Sequence, residues 1–457
     1  MTTSQTAPGA VRTADRLRDV IGARRRVARK VAHVASLGRD ELGRWAAGAL
    51  AETVAHASGN SPFYAGRVPR SLADAVAADP EAFRSVPFTT RQDLADAYPL
   101  GMLAVPRREV TRFDESSGTG NGQSIAAFFT ADDWVENNLI VAHLLSAVLD
   151  SSDVVAIAVP YELAGVGQDL DRALELLGCT IVPLGAASPS CPPERMVQAL
   201  RRSGATALIC SGTRALLLGE IARRAGIDPG RDLAVNKILM AGEGASPAKK
   251  TRLTEQWGAA TYSMFGMTET NTLAMFCARQ DLHLVETRTY FEIVDPRTGE
   301  RLPDGEAGEL AVTTLASRAM PLLRYRTGDT CQIEAAPCPC GSPLRRLRHR
   351  GRLGDRIAVG RGSASQLEIE DVVLGAMTTP PYFFAFDVDG PVLDIALPPG
   401  SAADRRTRDT IAAEADRRFG ATTRLGVLDV PAFEHALRTS AKPTMRNFLR
   451  AAEERSP

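Results

Sequence analysis

From about residue 136 the chain alternates helical spacing with short β-branched apolar runs, and few folds accommodate that alternation. A helix is expected through ENNLIVAHLLSAVL, then the strand VVAIAV (154–159), the helix LDRALELL stopped by Gly178, and the strand CTIVPL. The pattern continues through ATALICSG and LAVNKILMAG. Runs this apolar are buried on both faces, so they belong to a mostly parallel sheet covered by helices on either side. The expected fold class is therefore α/β, built in layers.

The flanks differ in character. Residues 11–58 carry Ala, Arg, Leu and Val at helical spacing, until Pro62 and Pro69 break the pattern. In VPFTTRQDLADAYP, Thr90 followed three residues later by Asp93 predicts a capped short helix. Residues 288–335 read as antiparallel strands, with DPRTG and PDGE as turns. Beyond Arg352 come a helix (SQLEIEDVVLGAM), two strands (FFAFDV, VLDIAL), a helix (AADRRTRDTIAAEADRRF) and a strand (GVLDV), a small α+β unit. A chain of 457 residues exceeds one ordinary core, so a large domain over 1–351 and a small one over 352–457 are expected.

Charge excludes some functions. Lys and Arg total 54 and balance 54 Asp and Glu, which gives no bulk attraction to nucleic acid or an anionic membrane. The cluster ARRRVARK reads as a solvated helix face. Residues 1–15 lack the apolar stretch of a secretory signal, and no run approaches a membrane span, so a cytoplasmic protein is expected. Seven scattered cysteines, an odd number, argue for reduced thiols.

Two glycine-rich stretches are weak signals alone. SSGTGNGQS (116–124) suits a phosphate-holding loop but has no P-loop lysine, and AGVGQDL lacks the third glycine of a dinucleotide turn. Order along the chain adds weight: SSGTGNGQS, AGEGAS (241–246), MFGMTET (264–270), YRTGD (325–329), GRLGD (351–355) and the lysine of SAKPTMRNF. Together these resemble the adenylate-forming ligase superfamily. From about residue 60 onward, SPFYAGRV, VPFTTRQDLADAYPLGMLAVP, DPRTGERLPDGEAGEL, AMPLLRYRTGD and SQLEIEDVVL look most like the phenylacetate-CoA ligase family.

That resemblance implies a role for each matching position. Ser116, Ser117, Gly118 and Thr119 match the phosphate loop, and Gly242, Glu243 and Gly244 the segment around adenine. Phe265, followed by Gly266, stands where the family has an aromatic residue beside the acyl-adenylate, usually Tyr. Thr268 would touch the α-phosphate, Glu269 would ligate Mg²⁺, Asp329 would accept both ribose hydroxyls, and Arg352 would lie near the ribose. Lys442 matches the C-terminal catalytic lysine. Tyr161, Ser211 and Phe265 fall in segments that would line the acid pocket.

Physical chemistry favours these residue types. Attack of a carboxylate on the α-phosphorus brings anions together, so the site must supply Mg²⁺ on a hard oxygen and a mobile ammonium. An ionised Asp only accepts, which suits a cis-diol. Two positions depart from the family. Gly122 and Gln123 stand in the region of its usual loop Lys-Pro, and Gly354 replaces the Asp hinge about which the small domain would rotate.

Cys277, His283, Cys338 and Cys340 form a separate set. Thiolates and an imidazole suit tetrahedral Zn²⁺, and a subset of the family resembles this arrangement; unligated buried cysteines are the alternative. Cys331 is a spare candidate, while Cys179, Cys191 and Cys210 read as packing residues. His33, His56 and His143 sit in helical patterns, and no hydrolase triad has motif support.

The resemblance thus implies an ATP- and Mg²⁺-dependent ligase that adenylates a carboxylic acid, aromatic in character, and passes the acyl group to CoA. A homodimer is expected. The alternatives are another acceptor, whether a carrier protein, an amine, or nitrite activation for an aryl amine in secondary metabolism, and a non-catalytic binding homologue.

Overall fold

A computed structural model of the chain describes residues 8–116 and 124–439, with side chains described within 21–438. It divides into two units, Met1–His143 with Glu286–Tyr290 and Val312–Tyr325, and Leu144–Val285 with Phe291–Ala311 and Arg326–Pro457.

Helices open the first unit, as their spacing predicts: α1 (Pro8–Ala35), α2 (Arg39–Asn60), α3 (Pro62–Ala65), α4 (Ser71–Ala78) and α5 (Arg91–Asp96). The expected cap forms on α5, where Asp93 N donates to Thr90 Oγ1 at 3.2 Å and Thr90 N to Asp93 Oδ2 at 2.8 Å. Strands β1 (Val110–Glu115) and β2 (Ala126–Thr130) pair antiparallel with Glu115 opposite Ala126, so the Ser- and Gly-rich stretch connects a hairpin.

Helix α6 (Ala131–Leu145) starts earlier than its apolar pattern suggested. Thr130 and Asp133 exchange side-chain hydrogen bonds at 2.9 and 3.1 Å and set its beginning, a cap hidden in TADD.

The alternation in the second unit gives β3 (Val154–Ile157), α7 (Val166–Leu177), β4 (Thr180–Pro183), α8 (Pro193–Ser203), β5 (Ala207–Cys210), α9 (Gly212–Arg224), α10 (Pro229–Asp232), β6 (Lys237–Met240), α11 (Pro247–Trp257) and β7 (Ala260–Met267). Two more strands follow, β8 (Asn271–Phe276) and β9 (Leu282–Leu284), and the sheet runs β4-β3-β5-β6-β7-β8-β9. Pairing is parallel as far as β7 and antiparallel beyond it. Gly178 ends α7 with φ +78°, returning its N–H to Glu175 and Leu174 carbonyls.

A five-stranded sheet follows in the order β11-β10-β12-β13-β14, from β10 (Thr289–Val294), β11 (Arg301–Leu302), β12 (Ala307–Thr314), β13 (Tyr325–Ile333) and β14 (Leu347–Arg352). Its turns use the expected chemistry, Asp295 Oδ1 accepting from Arg297 and Thr298 N–H at 2.8 and 3.0 Å.

The remaining segment holds β15 (Ile357–Val359), β16 (Gly362–Ala364), α12 (Gln366–Ala376), β17 (Ala385–Asp389), β18 (Val392–Leu397), α13 (Pro399–Ala403), α14 (Arg405–Phe419), β19 (Thr422–Val427) and α15 (Val430–Thr439). The single helix expected over 402–419 is split, because Asp404 accepts from Arg406 and Thr407 N–H and begins α14 afresh. The last strand lies earlier than GVLDV, since β19 pairs parallel with β18 from Val392↔Thr422 to Leu397↔Val427. One apolar cluster joins Leu200, Leu216, Leu253 and Trp257 to Val372, Phe384, Leu393 and Phe433. Residues on α12 and β17–β18 therefore share a core with α8, α9 and α11.

Candidate active site

Strand β13 builds the most distinctive carboxylate. Arg326 pairs with Glu309, Thr327 Oγ1 donates to the Leu310 carbonyl at 2.9 Å, and Gly328, at φ +74°, donates its N–H to Glu309 Oε1 at 3.1 Å. A left-handed residue inside a strand kinks it, and only glycine adopts that conformation cheaply. Asp329 follows the kink and is 2% exposed. It lies within the strand. Its Oδ1 accepts from His349 Nε2 at 2.9 Å and faces Arg352 Nε at 3.6 Å. Its Oδ2 is buried with no hydrogen-bond donor.

Phe265 belongs to the same group, its ring centroid 5.0 Å from that of His349. A bulge between Phe265 and Gly266 precedes the tight turn from β7 to β8 that carries Thr268 and Glu269. Gly266 has no alternative: a Cβ there would meet the Asn271 carbonyl at 2.5 Å. Glu269 is buried in this turn at 4% exposure and offers a hard oxygen, so its residue type fits Mg²⁺.

The AGEGAS segment leaves β6 with Gly242 at φ +85°. The Glu243 carboxylate turns inward, Oε1 accepting from Thr213 N at 2.6 Å and Oε2 from Thr213 Oγ1 at 3.1 Å, with Lys249 Nζ 3.2 Å from Oε1. Gly244 lies under Leu367 of α12, whose Cδ1 would be 2.9 Å from any Cβ placed there. Ser211 caps α9 by accepting from Arg214 N. Tyr161 packs its ring on Gly167 of α7, and burial, then Asp171, pushes its phenol above the usual range.

Ser116 closes the base of the glycine-rich hairpin. Its N–H donates to the Ile125 carbonyl at 3.0 Å, while its Oγ accepts from Ile125 N at 3.1 Å and Arg91 Nη2 at 3.2 Å. Ser117, Gly118, Thr119 and Lys442 lie outside the described residues. Arg352 ends β14, and Gly354 follows in a single 3₁₀ turn with nothing within 4 Å of its Cβ position.

The cysteine and histidine set converges. Ligand atoms of Cys277, His283, Cys338 and Cys340 all lie within 4.8 Å of one another. His283 Nδ1 bonds the Leu344 carbonyl at 2.8 Å, which turns Nε2 toward Cys340 Sγ at 3.4 Å. Backbone N–H groups of Cys340 and Ser342 donate to the sulfurs of Cys338 and Cys340. Such donors suit thiolates, so the set fits Zn²⁺. Cys331 sits apart in β13, fully buried, and Cys210 is likewise buried in β5.

Sequence reasoning missed His349, Lys249 and Glu370. Alternation along LRHRGR held the signal for His349: Leu347 and Gly351 are buried in β14 and Arg348, Arg350 and Arg352 are exposed, which turns His349 inward.

Among the described residues no helix is long and apolar enough to cross a membrane. A family model described as AMP-binding enzyme matches residues 173–316. Phenylacetate-coenzyme A ligase of Thermus thermophilus is 30% identical over 359 residues, 76% of this chain and 78% of the relative. The Escherichia coli enzyme of the same name is 30% identical over 75% of this chain and 78% of its own. A structure of 2-hydroxyisobutyryl-CoA ligase in the postadenylation state matches with TM-score 0.80 at 20% identity, covering 92% of this chain and 93% of that one. An anthranilate CoA ligase bound to anthranoyl-AMP matches with TM-score 0.55 at 17% identity, covering 76% and 68%. The fold is thus that of adenylate-forming enzymes, and by identity sustained over three quarters of its length the chain belongs to the phenylacetate-CoA ligase family of AMP-binding enzymes.

Proposed function

We propose that this protein is an AMP-forming acid–CoA ligase acting on an aromatic carboxylic acid. A carboxylate oxygen of the acid attacks the α-phosphorus of ATP and pyrophosphate leaves. The thiol of CoA then attacks the acyl carbon and AMP leaves.

The observation that carries this reading is the Asp329 carboxylate. A buried oxygen without a donor costs free energy, and a ligand hydroxyl is one group that offsets the cost; of the orphaned atoms among the described residues, Asp329 Oδ2 is the one beside Arg352 and His349. Two adjacent ribose hydroxyls are donors of the right kind, and Arg352 and Phe265 share the neighbourhood through contacts with Asp329 and His349. Glu269 would hold the Mg²⁺ that offsets phosphate charge, Thr268 would meet the α-phosphate, and Ser116 to Thr119 would offer phosphate donors. Lys442 would serve adenylation. Zn²⁺ at Cys277, His283, Cys338 and Cys340 would be structural, and a turn of the segment from residue 352 about Gly354 to admit CoA would have to open the core that α12, β17 and β18 share with α8, α9 and α11. A homodimer fits the family resemblance.

The loop without a lysine at Gly122–Gln123 favours a second acceptor as the competing reading. Pyrophosphate release with ATP and Mg²⁺ over a panel of aryl and arylacetic acids, with and without CoA and with a nitrite and aryl-amine arm, decides between them. Acid-dependent release accelerated by CoA supports the ligase. Release indifferent to CoA overturns the thioester step, and silence throughout overturns adenylation.

A further inference from the structure

We propose that His349 is a positioning residue for the nucleotide, acting through Asp329 to set selectivity for the two ribose hydroxyls. This rests on the ribose reading of Asp329 above.

The strand register opposes Asp329 to Arg352 and Cys331 to His349, with an irregularity between the two pairs. That irregularity lets the imidazole reach back from its place opposite Cys331 to Asp329. An ionised carboxylate only accepts, so the proton of the 2.9 Å contact belongs to His349 Nε2. With Oδ1 held there and Arg352 3.6 Å away, the carboxylate cannot turn without losing its donor. Oδ2 is thereby fixed as the buried, unpartnered oxygen. The imidazole is held in turn, its ring tilted 41° to that of Phe265. His349 is therefore wedged between the ribose acceptor and the aromatic side chain assigned to the acyl end.

A histidine that merely fills space would change every nucleotide's binding alike. One that aims a carboxylate at a diol changes binding only for nucleotides carrying both hydroxyls. Acid-dependent pyrophosphate release by the full chain separates these cases, with ATP, 2′-deoxy-ATP and 3′-deoxy-ATP as substrates. The proteins are the unaltered chain, His349→Leu, His349→Gln, Asp329→Asn and the double variant His349→Leu/Asp329→Asn. We expect His349→Leu to raise KM for ATP roughly tenfold with kcat nearly unchanged, the size of one charge-assisted hydrogen bond, and to move KM for the deoxynucleotides much less. His349→Gln, which keeps an N–H donor, recovers part of the preference and decides the question if the leucine variant does not fold. In the Asp329→Asn background, His349→Leu adds little, because it acts through the missing charge. Equal KM changes for all three nucleotides, or full additivity with Asp329→Asn, overturn the proposal. An Asp329→Asn protein with unaltered KM and unaltered preference for ATP overturns instead the ribose reading on which it stands.

Discussion

Lys249 Nζ lies 2.6 Å from Glu370 Oε2, and both side chains are 1% exposed. A second carboxylate, Glu243, and the hydroxyl of Thr213 complete the ammonium's surroundings at 3.2 and 3.1 Å. Burial alone would lower the Lys249 ammonium, but Glu243 and Glu370 outweigh it and hold it above the usual lysine range. The same contact caps a helix. Glu370 Oε1 accepts from Ser246 N and Asp371 Oδ1 from Ala248 N, both at 3.0 Å, so carboxylates of α12 sit where the first turn of α11 needs acceptors.

Breaking this pair on one side strands a charge. Lys249→Met is expected to cost about 3–5 kcal/mol, because Glu370 stays buried without its partner. Lys249→Met with Glu370→Leu should recover part of that loss, since the Glu370 charge leaves with its partner while Glu243 still loses its ammonium and Ser246 N its acceptor. Urea midpoints at neutral pH measure both. A double variant no more stable than the single one would show that the network acts through something other than charge.

These residues mark the limit of what a linear reading supplies. Thr90 with Asp93, Gly178 and the DPRTG turn were legible because cap and turn chemistry spans a few neighbouring residues. The parallel strands β3, β5 and β6 were legible because burial on both faces leaves continuous apolar runs, while β4 at the sheet edge is partly exposed and kept only the apolar Ile181 and Val182 of that signal. Asp329 is singled out by its motif, yet its orphaned oxygen depends on a kink at Gly328 and on a histidine from the next strand. Lys249 stands in the sequence only as one of two adjacent lysines with no motif around it. Only the fold brings Glu370 to it, and no periodicity encodes a partner from a distant helix.

The thiol and imidazole cluster should retain zinc stoichiometric with the chain. Cys340→Ser is expected to abolish bound metal and lower the thermal midpoint, because a structural zinc contributes its binding free energy to the folded state. Acid-dependent pyrophosphate release of the fraction that remains folded should change less than about twofold. Metal analysis of the purified chain checks the first point, and absence of zinc under metal-replete expression would refute it.

Asp153 supplies a stability term with a definite pH sign. It is 4% exposed and accepts from Lys237 Nζ at 2.6 Å and Thr206 Oγ1 at 2.7 Å. Burial would raise its carboxyl, but the hydrogen bonds from Lys237 and Thr206 prevail and hold it below the ordinary carboxylate value. A folded-state value below the unfolded one, about 3.9, means the contribution is complete above that unfolded value and fades as pH falls through the folded one. Asp153→Asn should therefore lower stability at neutral pH and lose less on acidification than the unaltered chain. Urea midpoints between pH 7 and 3 read this directly, and parallel curves for the two proteins would exclude it.

Lys442 should matter for one half of the reaction only. In the first half, the acid's oxygen, the phosphate oxygens and the leaving pyrophosphate crowd negative charge at one centre, and an ammonium reaching it stabilises the transition state more than the bound substrates. In the second half, charge develops on the thioester-forming carbonyl and AMP leaves as a stable anion, so an ammonium at the α-phosphate has much less to offset. Lys442→Ala is expected to slow acid-dependent pyrophosphate release by about 10²–10³-fold, in line with removal of one preorganised charge donor. Thioester formation from a synthetic acyl-adenylate and CoA should fall by much less. Equal losses in the two assays would place Lys442 in a role common to both steps.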